Sequence, residues 1–128
     1  MGLTHPTINR YLDLMEGAFL VRRLQPYFVN ISKRLVKSPK IYLRDSGILH
    51  AFKDIIHERD LLDDPQVGAS WEGFVIEQII ETMHNVLMDG QAYFYRTQQG
   101  TECDLIIEHQ GKVKAAIEIK ISSAPQIS

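Results

Sequence analysis

Three residues near the end of the chain have the types and spacing to do chemistry. They are Asp104, in Asp104-Leu105-Ile106-Ile107-Glu108, and Glu118 and Lys120, in Ala116-Ile117-Glu118-Ile119-Lys120. An acidic residue on one strand, followed on the next by Glu-x-Lys, is the minimal motif of a metal-dependent phosphodiesterase. In a strand, residues two apart share a face, so Glu118 and Lys120 point the same way. A three-residue hairpin loop at Gln110-Gly111-Lys112 pairs His109 with Val113 and sets Asp104 opposite Glu118. Such neighbours have Cβ atoms about 5 Å apart, close enough for both carboxylates to be ligands of one metal ion. The reverse face then carries Leu105, Ile107, Ile117, Ile119 and Ile121, all apolar. The competing reading is a half-exposed hairpin whose outer face is charged because water covers it.

A catalytic hairpin needs a neighbouring element to complete it, and Trp71 to Met88 reads as an amphipathic helix. At about 100° per residue, Val75, Ile76, Ile79, Ile80, Met83, Val86 and Leu87 share one half of the wheel with Trp71. Glu77 and Glu81 fall in the other half, and Phe74 interrupts that polar side. Glu72 projects near the centre of the apolar arc, where a carboxylate is costly unless paired, hydrogen-bonded or bound to a metal. The alternative is that Glu72 occupies the first helical turn, favours the dipole and reaches solvent.

At 128 residues and 45% hydrophobic content, the chain makes one ordinary domain or two very small ones. No apolar run approaches the ~20 residues that span a bilayer, and no signal-peptide pattern opens the sequence, so a cytoplasmic location is expected. A single cysteine, Cys103, excludes an internal disulfide and a cysteine-rich zinc site; it reads as a small apolar strand residue. The net charge of −2 hides an asymmetry. Residues 1–53 hold nine Lys or Arg against three acids, a balance of +6, and residues 54–128 hold five against thirteen, a balance of −8. Arg22, Arg23, Lys33, Arg34, Lys37 and Lys40 are therefore candidate nucleic-acid contacts, with DNA the expected partner. A solvated surface, or pairing between the two halves, explains the same charges.

Along the chain, Thr7 to Glu16 patterns as a helix, with Pro6 in its first turn and Gly17 at its end. Phe19 to Leu24 reads as a strand, residues 30–38 as a basic loop, and Lys40 to Leu43 as a second strand. Helix, strand, basic loop and strand form the trailing half of a winged helix. Asp45 caps a short helix from Ser46 to Phe52. Residues 53–70 are a polar, acidic connector. Tyr93 to Thr97 supplies a strand before Asp104, with a turn at Gln98-Gln99-Gly100.

Several blocks resemble, in order, the region that follows the ATPase core in a family of bacterial and archaeal P-loop (AAA-like) ATPases. They are His5-Pro6-Thr7 through Arg10-Tyr11-Leu12, Lys37 through Gly47, Gly68 through Glu77, Tyr93 through Thr97, and Asp104 through Lys120. The C-terminal domain of that family resembles the PD-(D/E)XK nuclease fold. The resemblance implies that Asp104 and Glu118 are metal ligands and that Lys120 orients the attacking water or stabilises the pentavalent phosphorus. It also implies that Glu72 completes the metal shell, with Glu77 in reserve. Mg²⁺ is the expected ion, because it is held by one or two carboxylates while keeping waters. No G-x-x-x-x-G-K-[ST] occurs, so ATP is expected to bind only through an upstream domain.

These readings converge on an α/β chain, an incomplete PD-(D/E)XK (restriction-endonuclease-like) core preceded by a partial winged-helix element. The divisions are a winged-helix segment at 1–52, a connector at 53–70, and a helix with a three-stranded sheet at 71–128, truncated after the Glu-x-Lys strand. The expected function is nucleic-acid-associated, with Mg²⁺-dependent hydrolysis of DNA. The alternative is a non-catalytic DNA- or protein-binding, regulatory or oligomerisation module. An edge at the Ile117 to Ile121 strand leads to an expected homo-oligomer.

Overall fold

A computed structural model describes residues 2–28 and 38–121. The order is α1 (His5–Gly17), β1 (Val21–Pro26), β2 (Lys40–Leu43), α2 (Ser46–Phe52), α3 (Glu58–Leu62), α4 (Val67–Val86), β3 (Gln91–Arg96), β4 (Glu102–His109) and β5 (Lys112–Ile117). The chain is α/β, as its patterning predicts. Asp45 caps α2, its carboxylate accepting from the Gly47 and Ile48 amides. The connector is more ordered than its composition suggests, because α3 and the first turn of α4 both fall within it. No helix among the described residues is long and apolar enough to cross a membrane.

All five strands lie in one sheet, ordered β2-β1-β3-β4-β5. β1 and β2 pair antiparallel, as a wing would, with Leu24 opposite Lys40. They do not stand apart, however: β1 also runs parallel to β3, through Gln25↔Tyr93 and Pro26↔Phe94. β3, β4 and β5 follow as an antiparallel meander. Helix α4 covers one face of the sheet. Ile76, Ile80 and Met83 pack there on Leu24, Phe94, Leu105 and Ile107, a buried cluster that is the core.

The helix is rotated from the orientation its apolar arc predicts. Gly73, Ile76, Glu77, Ile80 and Met83 form the buried stripe, while Trp71 and Val86 are exposed. Glu77 was expected on the polar side and instead is only 4% exposed. Its burial is tolerated because two guanidiniums reach it. Arg22 donates through Nε and Nη2, at 2.7 and 2.9 Å, and Arg44 through Nε at 2.7 Å.

The β4–β5 hairpin also departs in detail. Its loop has two residues, Gln110 and Gly111, both in the left-handed region (φ 53° and 73°), so His109 pairs with Lys112. Positive φ at both positions matches the right-handed twist of the flanking strands, which a longer loop would not need. One extra residue in β5 between Glu108↔Val113 and Ile107↔Ala115 then shifts the register back. Leu105 consequently opposes Ile117, the register the sequence predicts, but the pairing ends there, one position before Asp104 and Glu118. The strand stops short, though. β5 ends at Ile117, because the Asp104 carboxylate accepts the Ile119 amide at 2.8 Å in place of a ladder bond.

Candidate functional site

The side chains with chemistry gather at one end of the sheet, under the first turns of α4. Lys40 and Tyr42 alternate on β2 and so share the face that α4 covers. A Cβ on Gly73 would come within 3.1 Å of the Tyr42 ring, so glycine lets that ring lie close against the helix without displacement. From there the Tyr42 hydroxyl donates to Glu72 Oε1 at 2.5 Å. Burial, and then the Glu72 carboxylate, push the Tyr42 pKa far above its ordinary value, so the phenol stays a donor.

The Lys40 ammonium is the centre of the cluster. It lies 3.1 Å from Glu72, 2.6 Å from Glu102 and 3.9 Å from Asp104, and 5.4 Å from the centroid of the Phe94 ring. Arg96 Nη2 donates to Glu102 at 2.8 Å. Burial opposes ionisation of Glu102, but the hydrogen bonds from Arg96 and Lys40 outweigh it and hold its pKa below the usual value. Both acids of β4, two apart on the strand, reach the same cation. β4 carries one more residue than β3 between Tyr93↔Ile106 and Tyr95↔Cys103. Such a bulge bends the strand locally and re-aims the side chains beside it.

The four residues expected to be catalytic are thus divided. Glu72 and Asp104 meet at Lys40. Glu118 and Lys120 stand beyond the end of β5 with side chains 65% and 76% exposed, and their charged ends pair with each other at 3.1 Å. Carboxylates are the donor chemistry that Mg²⁺ takes, but these are committed elsewhere: Asp104 to the Ile119 amide, Glu118 to Lys120. Among the described residues no group of three or more His, Cys, Asp or Glu side chains is placed to hold a metal ion. The side chains as arranged do not fit Mg²⁺ at Asp104 and Glu118.

The expected nucleic-acid contacts are divided as well. Arg22 is bound to Glu77, Arg23 to Asp13 and Glu16, and Lys40 to the acidic cluster. A phosphate would have to compete with these internal carboxylates. Lys33, Arg34 and Lys37 lie outside the described residues.

The role of Lys40 as a counter-ion, and the parts played by Glu102, Tyr42 and Arg96, were missed in the sequence. A signal was present: Lys40 and Tyr42 are two apart on an expected strand, and Glu102 stands two residues before Asp104. The bulge beside the second pair leaves no mark in the pattern of residues. Cys103 is half-buried on β4, with its sulfur 3.6 Å from the Leu105 and Ile117 carbonyls, which suits the small strand residue expected.

Residues 1–59 match the model of one domain of unknown function (DUF8612), and residues 67–128 match that of another (DUF4143). The chain is 44% identical, over all 128 residues, to the uncharacterized protein Mb2031c of Mycobacterium bovis and to the uncharacterized protein Rv2008c of Mycobacterium tuberculosis. It spans 28% of the length of each. No solved structure was found to match it.

Proposed function

We propose that this chain is a non-catalytic, nuclease-like binding module of a larger prokaryotic P-loop ATPase, with a regulatory role toward a protein partner. The observation that carries this reading is the Lys40 ammonium held by Glu72, Glu102 and Asp104. In an active nuclease of this kind, carboxylates from the helix and the central strand converge on a divalent cation. Here a lysine, tethered to β2 and supported by Tyr42 and Arg96, supplies the compensating positive charge. Glu118 and Lys120, the other half of the motif, neutralise each other in solvent. The ATPase context is supported by the ordered blocks that resemble the region after an ATPase core, and by relatives much longer than this chain. A protein partner is favoured over DNA because Arg22, Arg23 and Lys40 already serve internal carboxylates.

One observation favours a second reading, Mg²⁺-dependent cleavage of DNA: Glu72 and Asp104 both approach a single cation, as two metal ligands would. Melting curves with millimolar Mg²⁺ or Mn²⁺, together with a plasmid-cleavage assay, separate the two. The binding role predicts an unchanged melting temperature and intact plasmid. A metal-dependent stabilisation abolished by Asp104→Asn, accompanied by cleavage, would sink it and restore the nuclease.

A further inference from the structure

We infer that the cavity between α2, α3, the first turns of α4 and the chain just past β5 binds a small aryl carboxylate. Its ring would lie against Trp71 and Phe74, and its carboxylate at Ser70 and Lys120. The inference stands apart from the cluster at Lys40 and from the binding role proposed above. The cavity holds about 480 Å³, within the range that small-ligand sites occupy. Trp71 and Phe74 are both exposed although large and apolar. Three residues apart on α4, they share one side of the helix. Their rings stack at 5.9 Å between centroids, inclined by 28°, and give the cavity an aromatic wall. Leu61 and Leu62 of α3 extend its apolar lining.

The polar groups that converge on this cavity select the other end of the ligand. His50 Nε2 and Ser70 Oγ are 2.7 Å apart. With Nε2 protonated, the imidazole donates to Oγ and leaves the hydroxyl proton for a third partner. Lys120 brings an ammonium group, and no Asp or Glu among the described residues lines the cavity. Its pairing with Glu118 lies in solvent, a contact weak enough to be exchanged for a ligand's carboxylate. An anion is thereby favoured over a cation, and an aryl group over an alkyl one by the two rings. Lys120, left over from the Glu-x-Lys motif, gains a use that needs no metal and no phosphodiester.

Trp71 is the single tryptophan of the chain, so its fluorescence reports on this cavity alone. Phenylpropionate titrated into the 128-residue chain should change Trp71 emission saturably. Hexanoate, which lacks the ring, should bind about fivefold more weakly. Phenylpropanamide, which lacks the charge, should bind about tenfold more weakly. Lys120→Gln should cost the two carboxylates about threefold and the amide nothing. Ser70→Ala should cost phenylpropionate about tenfold. Should Ser70→Ala misfold, the three ligands on the unmodified chain and the exposed Lys120→Gln change still decide the matter. Equal binding of the three ligands, or none, overturns the inference. So does a phenylpropionate response undiminished in Lys120→Gln, or a Trp71 response that a single-stranded oligonucleotide produces and phenylpropionate does not.

Discussion

The Lys40 ammonium reaches over the Phe94 ring to within 2.6 Å of the Glu102 carboxylate, joining the far edge strand β2 to β4 across the two strands between them. The same ammonium neutralises Glu72 and lies near Asp104, so removing it strands three carboxylates together. Lys40→Met should destabilise the fold by about 2 kcal/mol, less than the loss of a fully buried ion partner because water retains some access. Mn²⁺ should restore part of the lost melting temperature in that variant and none in the parent. Equal response of both chains to Mn²⁺ would show that the lysine does not substitute for a cation.

Tyr42 and Gly73 depend on each other. Tyr42→Phe removes the hydroxyl bound to Glu72 and should cost about 1–2 kcal/mol, typical of a hydrogen bond to a charged group. Gly73→Ala places a methyl 3.1 Å from the Tyr42 ring and should cost roughly 1–3 kcal/mol by overpacking. In the double variant Tyr42→Leu, Gly73→Ala the methyl has a softer neighbour. Urea denaturation should therefore show less than the summed loss. Strict additivity would mean that the two residues do not press on each other.

How much of this was legible depends on range. α2 and its Asp45 cap, β2, and the Gln98-Gln99-Gly100 turn follow from local propensity, and the structure reproduces them. The register that pairs Leu105 with Ile117 was also legible, but for an incomplete reason: a shorter loop and a bulge in β5 cancel. What local pattern could not reveal is long-range pairing. Glu77 looks polar on a helical wheel because the wheel does not know that Arg22 and Arg44 arrive from elsewhere in the chain. Glu102 lies before the strand read from Asp104, and its place in the cluster comes from Lys40, which arrives from β2. The parallel pairing of β1 with β3, which merges the wing into the main sheet, spans more than sixty residues of sequence.

The hairpin loop offers a local test of register. Asn is favoured over Gln at the first position of a two-residue turn with positive φ, because its short side chain tolerates the left-handed region. Gln110→Asn should raise stability by about 0.5 kcal/mol, and Gly111→Val should lower it by roughly 1 kcal/mol or more. Thermal melts of both variants check this. If Gly111→Val is neutral, the loop is not the two-residue turn, and the cancellation with the β5 bulge does not hold.

Glu77 should dominate the acid response of the fold. Burial opposes its ionisation, but hydrogen bonds from Arg22 and Arg44 prevail and set its pKa below the ordinary 4.5. A carboxyl whose folded pKa is depressed contributes stability that is fully present above its unfolded value. That contribution is lost as pH falls through the folded value. Glu102 acts in the same direction, its pKa also lying below 4.5. Stability should therefore hold from neutrality down to about pH 5 and then fall steeply, since protonation leaves two guanidiniums without their counter-ion. Glu77→Gln should cost about 3 kcal/mol at neutral pH, by leaving Arg22 and Arg44 unpaired. It should also flatten the decline below pH 4.5, because the titrating group is gone. Urea midpoints measured from pH 7 to pH 3 on both chains decide the matter. Parallel curves would place the acid sensitivity elsewhere, with the carboxylates around Lys40 next in line.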